Sequence, residues 1–202
     1  MNKHLQIHEL KNRMDVLSTL ELILDDCEWA LPFHYKIHDP SESEETGIYY
    51  KTDDGCGEYA FVIFSKAGCI IKGFNCEHNT DTKVYENVPQ SLLKFLNDPM
   101  IEKNDVTFCI WREATDTAWK IEKSKQSDTP DIITTWHATA ADYINWADDY
   151  HRDDADTFDK NAVKAIKRIY AGEINEEIIA AINPTKNAKQ VLNEIHKTLR
   201  SK

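Results

Sequence analysis

A chain of 202 residues with 41% hydrophobic and 10% aromatic side chains is long and apolar enough to bury one core, which excludes an intrinsically disordered protein. The formal net charge of -11 is unevenly placed: residues 160–202 carry +5 and residues 1–159 carry -16. A nucleic-acid reader needs a basic surface to displace counterions, so the larger acidic part argues against nucleic acid and toward a basic protein partner.

No apolar run approaches the ~20 residues that span a bilayer, so no membrane association is expected. The N-terminal Met-Asn-Lys-His-Leu-Gln runs directly into a charged amphipathic pattern, not a signal peptide, and a cytoplasmic location is the expectation. The five cysteines, Cys27, Cys56, Cys69, Cys76 and Cys109, show no tight repeated spacing, which predicts reduced, mostly buried thiols.

Residues 3–26 are predicted as a helix, because Leu10, Met14, Leu17, Leu20 and Leu24 fall on one stripe. Phe33, Tyr35 and Ile37 alternate with His34, Lys36 and His38 as a half-buried strand, followed by a polar loop over 39–46. A short strand over 48–51 and the turn signal Asp53-Asp54-Gly55 lead into the most strongly patterned stretch, residues 57–74. There, two runs rich in β-branched and aromatic residues flank Ser65-Lys66-Ala67-Gly68, which predicts a hairpin closing in a bulge at Gly68. In the first run Tyr59, Phe61 and Ile63 face one way and Ala60, Val62 and Phe64 the other, so the strand should be central and covered on both sides.

Residues 75–87 lack periodicity. Pro89 opens a short helix with Leu92, Leu93 and Leu96, and Asp98-Pro99 stops it. A strand over 106–112 turns back at Thr115-Asp116 toward Trp119 and Ile121, and a further strand is expected over 132–136. From Thr139 the period becomes helical. Thr139 with Asp142 forms a capping-box pattern, 153–159 is an acidic linker, and Asp159 and Asn175 are N-cap candidates for two of the helices that follow. Strands in a run and then helices in a run predict an α+β fold: an antiparallel sheet with an N-terminal helix and a C-terminal group of helices. The expected organisation is a single domain over 1–202, with helix plus sheet in 1–136 and a helical part in 137–202.

Three constellations could carry chemistry. Glu58 precedes the first hairpin strand and Glu77 follows the second, so the hairpin brings both near one end, with His78 beside them. Paired carboxylates can divide into acid and base where their environments differ, which makes Glu58, Glu77 and His78 the catalytic candidates of a hydrolase or lyase. Cys69, Cys76, Glu77, His78 and Asp81 are metal-ligand types without metal-ligand spacing, and the Asp-rich 148–159 segment fails the calcium-loop register. No metal or other cofactor is therefore expected. Trp111, on the face opposite Val106, Phe108 and Ile110, adjoins Arg112, and with Trp119 it forms an aromatic-plus-arginine group of the kind that anchors interfaces or fills a second core.

Several stretches together resemble a family of small bacterial cytosolic proteins without an assigned function. They are Gly57-Glu58-Tyr59, Ile71-Lys72-Gly73-Phe74 with Glu77, Val88-Pro89, Thr107-Phe108-Cys109-Ile110-Trp111-Arg112 with Trp119, Tyr143-Ile144-Asn145-Trp146-Ala147 with Tyr150, Ile169-Tyr170 and Ile182-Asn183-Pro184. The loop that usually reads Asp-His-Glu-Ser in that family is Asn75-Cys76-Glu77-His78 here, which removes an Asp and shifts the His. A fainter likeness, through the Val-Pro-x-x-Leu-x-x-Phe-Leu string at 88–96, is to toxin-immunity proteins. The resemblance implies a bacterial intracellular protein and no particular activity. The leading expectation is thus a non-enzymatic acidic binding protein, of immunity or regulatory type, that recognises a basic protein. The acid–base enzyme is the alternative, and weak homodimerisation through an exposed aromatic face is a third.

Overall fold

A computed structural model describes residues 5–24, 33–37, 47–124, 136–150 and 158–199. The elements run α1 (Ile7–Leu24), β1 (Phe33–Ile37), β2 (Ile48–Asp53), β3 (Glu58–Ser65), β4 (Gly68–Asn75), α2 (Gln90–Leu93), β5 (Phe108–Glu113), β6 (Lys120–Lys123), α3 (Ala140–Tyr150), α4 (Lys160–Tyr170), α5 (Glu176–Ile182) and α6 (Ala188–Leu199). The fold is α+β, with the N-terminal helix, antiparallel sheet and C-terminal helices expected from the order of the elements. The loop at 39–46, most of the acidic linker at 153–159, Cys27, and residues 132–135 of the expected strand at 132–136 lie outside the described residues. No helix among the described residues is long and apolar enough to cross a membrane.

By its contacts the chain divides into two compact units, Met1–Lys11 with Pro32–Thr134 and Asn12–Leu31 with Thr135–Lys202. Most of α1 groups with the C-terminal helices in the second unit, and its start groups with the sheet.

In the first unit the described strands form a simple meander, β1-β2-β3-β4-β5-β6, antiparallel throughout. This puts β3 and β4 in the middle, where strands with two apolar faces belong. One face holds Phe61, Ile63, Ile70 and Trp111 against Val84, Val88, Leu92, Phe95 and Leu96 of the connection between β4 and β5. That connection, aperiodic in sequence, is built from short turns: a 3₁₀ turn over Thr82–Tyr85 capped by Asp81, then α2 after Pro89. On the other face Tyr50, Val62, Phe64, Ile71 and Ile110 are buried as well.

The β3–β4 hairpin turns through Lys66-Ala67 with Ser65 opposite Gly68, so the ladder continues without the expected bulge. Gly68 is required for a different reason. Its φ is +141°, and a Cβ there would lie 2.2 Å from the Arg112 carbonyl oxygen of the neighbouring strand.

In the second unit α3 packs on α4, α4 on α5 and α5 on α6. The sequence caps form as expected. Thr139 and Asp142 bond reciprocally, with Asp142 N–H donating to Thr139 Oγ1 at 3.2 Å and Thr139 N–H to Asp142 Oδ2 at 3.1 Å. Asn175 Oδ1 accepts from Ile178 N–H at 2.9 Å. The last carbonyls of α1 gain side-chain donors, Asn183 Nδ2 to Ile23 O at 3.0 Å and Lys186 Nζ to Leu22 O at 3.2 Å. Asp159 Oδ1 accepts from both Asn161 N–H at 2.7 Å and Ala162 N–H at 2.8 Å at the start of α4. Asp159→Ala should therefore cost about 1 kcal/mol in a denaturant melt. A melt superimposable on that of the parent protein would show that α4 does not depend on this cap.

Candidate functional site: the acidic end of the sheet

The meander brings the C-terminal ends of β2 and β4 and the N-terminal ends of β3 and β5 to one end of the sheet. Asp53 and Asp54 close β2, Glu58 opens β3, and Asn75 closes β4 directly opposite Glu58. Two short Asx turns shape the connection between β2 and β3: Gly55 N–H donates to Asp53 Oδ1 at 3.0 Å, and Asp54 Oδ1 accepts from Cys56 N–H at 2.8 Å and Glu58 N–H at 2.9 Å.

Asn75 is the clasp of this end. Its Nδ2 donates to Glu58 Oε1, its Oδ1 accepts from Glu77 N–H at 2.8 Å, and its carbonyl accepts from His78 N–H at 3.1 Å. The structure therefore brings Glu58 near the 75–78 turn, as the hairpin argument required. What joins them, however, is an amide that satisfies one carboxylate and shapes one turn. Glu58 is engaged and half-buried, Glu77 is exposed and His78 is half-buried on the turn. This is the pattern of two strand-end glutamates, with Glu58 held by Asn75 and Glu77 exposed on the turn.

Tyr59 lies one residue inside the rim. Its hydroxyl donates to Glu102 Oε2 at 2.8 Å and accepts from Lys72 Nζ at 3.2 Å. The Lys72 ammonium also sits over the Tyr59 ring, 4.3 Å from its centroid, and Phe74 packs against the same ring at 5.2 Å. Glu102 has a φ of +48°, the one non-glycine residue with positive φ among the described residues. Burial pushes the Tyr59 phenol well up, helped by the hydrogen bond to Glu102 and the charges of Glu102, Asp105 and Asp53. Burial pulls Lys72 down to about 8, with Glu102 and Asp105 opposing the shift and Lys51 adding to it. Lys51 itself pairs with Asp53 at 2.7 Å. Among the described residues no group of three or more His, Cys, Asp or Glu side chains is arranged to hold a metal ion.

The Trp111, Arg112 and Trp119 group is not an exposed anchor. Trp111 is 2% exposed and belongs to the core with Phe95 and Leu96. Arg112, 6% exposed, spends its guanidinium on Leu5 O at 2.7 Å, Gln6 Oε1 at 3.0 Å and Asp116 O at 3.0 Å. Half-buried Trp119 donates through Nε1 to the same Leu5 carbonyl at 2.7 Å. The physical reason is that both faces of β5 are covered, so Trp111 and Arg112, which point to opposite faces, are each buried. These residues dock the start of α1 onto the sheet. The large apolar side chains exposed among the described residues are Met100 and Ile121, neither of them aromatic.

Sequence reasoning passed over Asn75, Lys72 and Glu102. Lys72 had a signal, since it shares a strand face with Ile70 and Phe74 in a central strand. Asn75 and Glu102 had none, because their roles depend on partners 17 and 43 residues away. No protein-family model matches the chain, and no curated protein or solved structure matches it.

Proposed function

We propose that this is a non-enzymatic binding protein, of immunity or regulatory type, that engages a basic protein through the acidic end of its sheet. The observation that carries the reading is the gathering of Asp53, Asp54, Glu58, Glu77, Glu102 and Asp105 around one sheet end, with Asp54, Glu77, Glu102 and Asp105 exposed. These six carboxylates outnumber the neighbouring lysines, Lys51, Lys72 and Lys103. Lys51 is paired with Asp53, and Lys72 is buried beneath Tyr59. A concentrated field of one sign raises encounter rates with an oppositely charged partner and rejects like-charged ones.

The test is capture of partners from the source cell's lysate by the tagged full chain at low and high salt, read by mass spectrometry. A basic protein held in stoichiometric amount at low salt should leave at high salt, where screening shortens to about 3 Å at 1 M. The double charge reversal Glu77→Lys with Asp105→Lys should slow association by about tenfold or more. A captured protein that stays bound in high salt, and binds the reversal variant equally well, would remove the acidic rim from recognition.

A further inference from the structure

We propose that Cys56 and Cys76 are a reactive thiol pair that closes reversibly as a disulfide across two neighbouring turns of the sheet. This goes beyond the binding reading and does not depend on it. The two cysteines are far apart in sequence, yet the hairpin puts them side by side. The β3–β4 ladder, which ends with Glu58 opposite Asn75, is continued by Cys76 N–H donating to Gly57 O at 3.0 Å. The Cys76 thiol then lies 3.8 Å from the Cys56 carbonyl oxygen. A carbonyl oxygen is about 2.4 Å from its own Cα, so Cys76 Sγ is within about 6 Å of the Cys56 Cα. In a disulfide each sulfur lies about 4 Å from the partner's Cα, so closure asks for an approach of at most about 2 Å at the turns and no rearrangement of the strands.

The backbone around Cys56 is suited to that adjustment. Gly55 has φ +69° and Gly57 has φ +109°, so the cysteine is flanked by the two residues best able to re-aim it. Gly57 also makes room: a Cβ there would lie 2.5 Å from Cys76 Sγ, so its missing side chain is what lets the thiol rest on the turn. Both thiols are exposed to reagents, whereas Cys69 and Cys109 are buried within the sheet. Burial pushes the thiols of that inner pair well up, which keeps them protonated and inert.

The chemistry is thiol–disulfide exchange with a small-molecule disulfide of the oxidised-glutathione class. One cysteine thiolate attacks a sulfur of the reagent, forming a mixed disulfide and releasing one glutathione thiolate. The second cysteine thiolate then attacks the protein sulfur of that mixed disulfide, forming the Cys56–Cys76 bond and releasing the second glutathione. Two protein thiols lose their protons and are oxidised by two electrons, and one glutathione disulfide is reduced to two thiols. The link would tie the turn between β2 and β3 to the end of β4, enclosing the whole central hairpin. An exposed disulfide held between turns is of the readily reduced kind, which makes the closure reversible.

The experiment is to equilibrate the full chain in oxidised glutathione, alkylate the remaining thiols, and map peptides without reduction. The expected result is a cross-linked Cys56–Cys76 peptide, lighter by two hydrogens than its separate halves, as the main product, with Cys69 and Cys109 alkylated only after unfolding. In Cys76→Ser, Cys56 should accumulate as a glutathione adduct, because the resolving thiol is gone. Separate glutathione adducts on both cysteines of the parent chain, two free thiols, or a cross-link from either one to Cys27 would each overturn the proposal.

Discussion

Replacing Gly73 with alanine is expected to destabilise the protein by about 3 kcal/mol, the upper end of what one added methyl group does in a packed core. Gly73 sits in β4 between Ala60 of β3 and Phe108 of β5. Across this row the sheet places a small residue, then no side chain, then a large ring, and the ring of Phe108 lies over the glycine. A Cβ on Gly73 would be 1.8 Å from Phe108 Cζ and 2.1 Å from Cε1. A ring at the surface would swing aside at little cost, but Phe108 is fully buried. The strand cannot retreat either, because Gly73 O accepts from Thr107 N–H at 2.9 Å. The check is a pair of denaturant melts, with Phe108→Leu added as the compensating change. If the clash is with the ring, the double variant should be more stable than the sum of the single losses by about 1 kcal/mol or more. Gly73→Ala within about 0.5 kcal/mol of the parent would show that the ring yields freely and that the row is not tightly packed.

That row illustrates what could and could not be read from the chain. The central hairpin was legible because both of its runs are apolar on both faces, a pattern that only an interior strand tolerates. The helix starts at Thr139, Asp159 and Asn175 were legible because a cap is a local device, a side chain bonding an amide two or three residues on. The partner of α1 was not legible. Its stripe through Leu10, Leu17 and Leu20 says which face is buried but not by what, and most of the helix groups with the C-terminal helices. The start of β5 was placed two residues early for a related reason. Val106 is buried and apolar enough to pass for strand, and Thr107 N–H still reaches Gly73 O of β4, but Val106 O accepts from Asp81 N–H, outside the sheet.

The same limit explains the site. Trp111 beside Arg112 reads identically as an interface anchor and as a strand covered on both faces, and only the covering elements distinguish them. The acidic rim and the Cys56–Cys76 juxtaposition are products of register. A sliding window cannot gather residues from four strand ends, and charge totals show only that carboxylates are in excess, not that they converge.

Lys72→Met is expected to make the protein more stable near neutral pH, by about 1–3 kcal/mol, because the native chain keeps an ammonium group in its interior. Lys72 is 0% exposed, and its contacts include the hydroxyl and ring of Tyr59 and the ring of Phe61. Burial lowers its pKa from 10.5 to about 8 despite the attraction of Glu102 and Asp105. The sign follows from proton counts. Between about 8 and 10.5 the unfolded chain holds a proton on this lysine that the folded chain has released, so the lysine's contribution to stability rises with pH across that window. Below it the full penalty is present. The advantage of methionine should therefore be greatest at about pH 7 and shrink as the pH approaches about 10.

Other groups pull the opposite way. The buried thiols of Cys69 and Cys109 and the phenol of Tyr85 have raised pKa values, so the unfolded chain loses those protons first and stability falls as the pH passes their ordinary range. Both proteins carry these groups, so the difference between their melts isolates Lys72. A methionine variant that is less stable at neutral pH, or a gap that does not change with pH, would mean that Tyr59 and the two carboxylates compensate the ammonium in full. Tyr59→Phe separates those contributions. It removes the oxygen 3.2 Å from the ammonium and should cost more in the parent chain than beside Lys72→Met. That extra cost should fade above about pH 9, where the buried amine is mostly neutral and no longer depends on a charge-assisted acceptor.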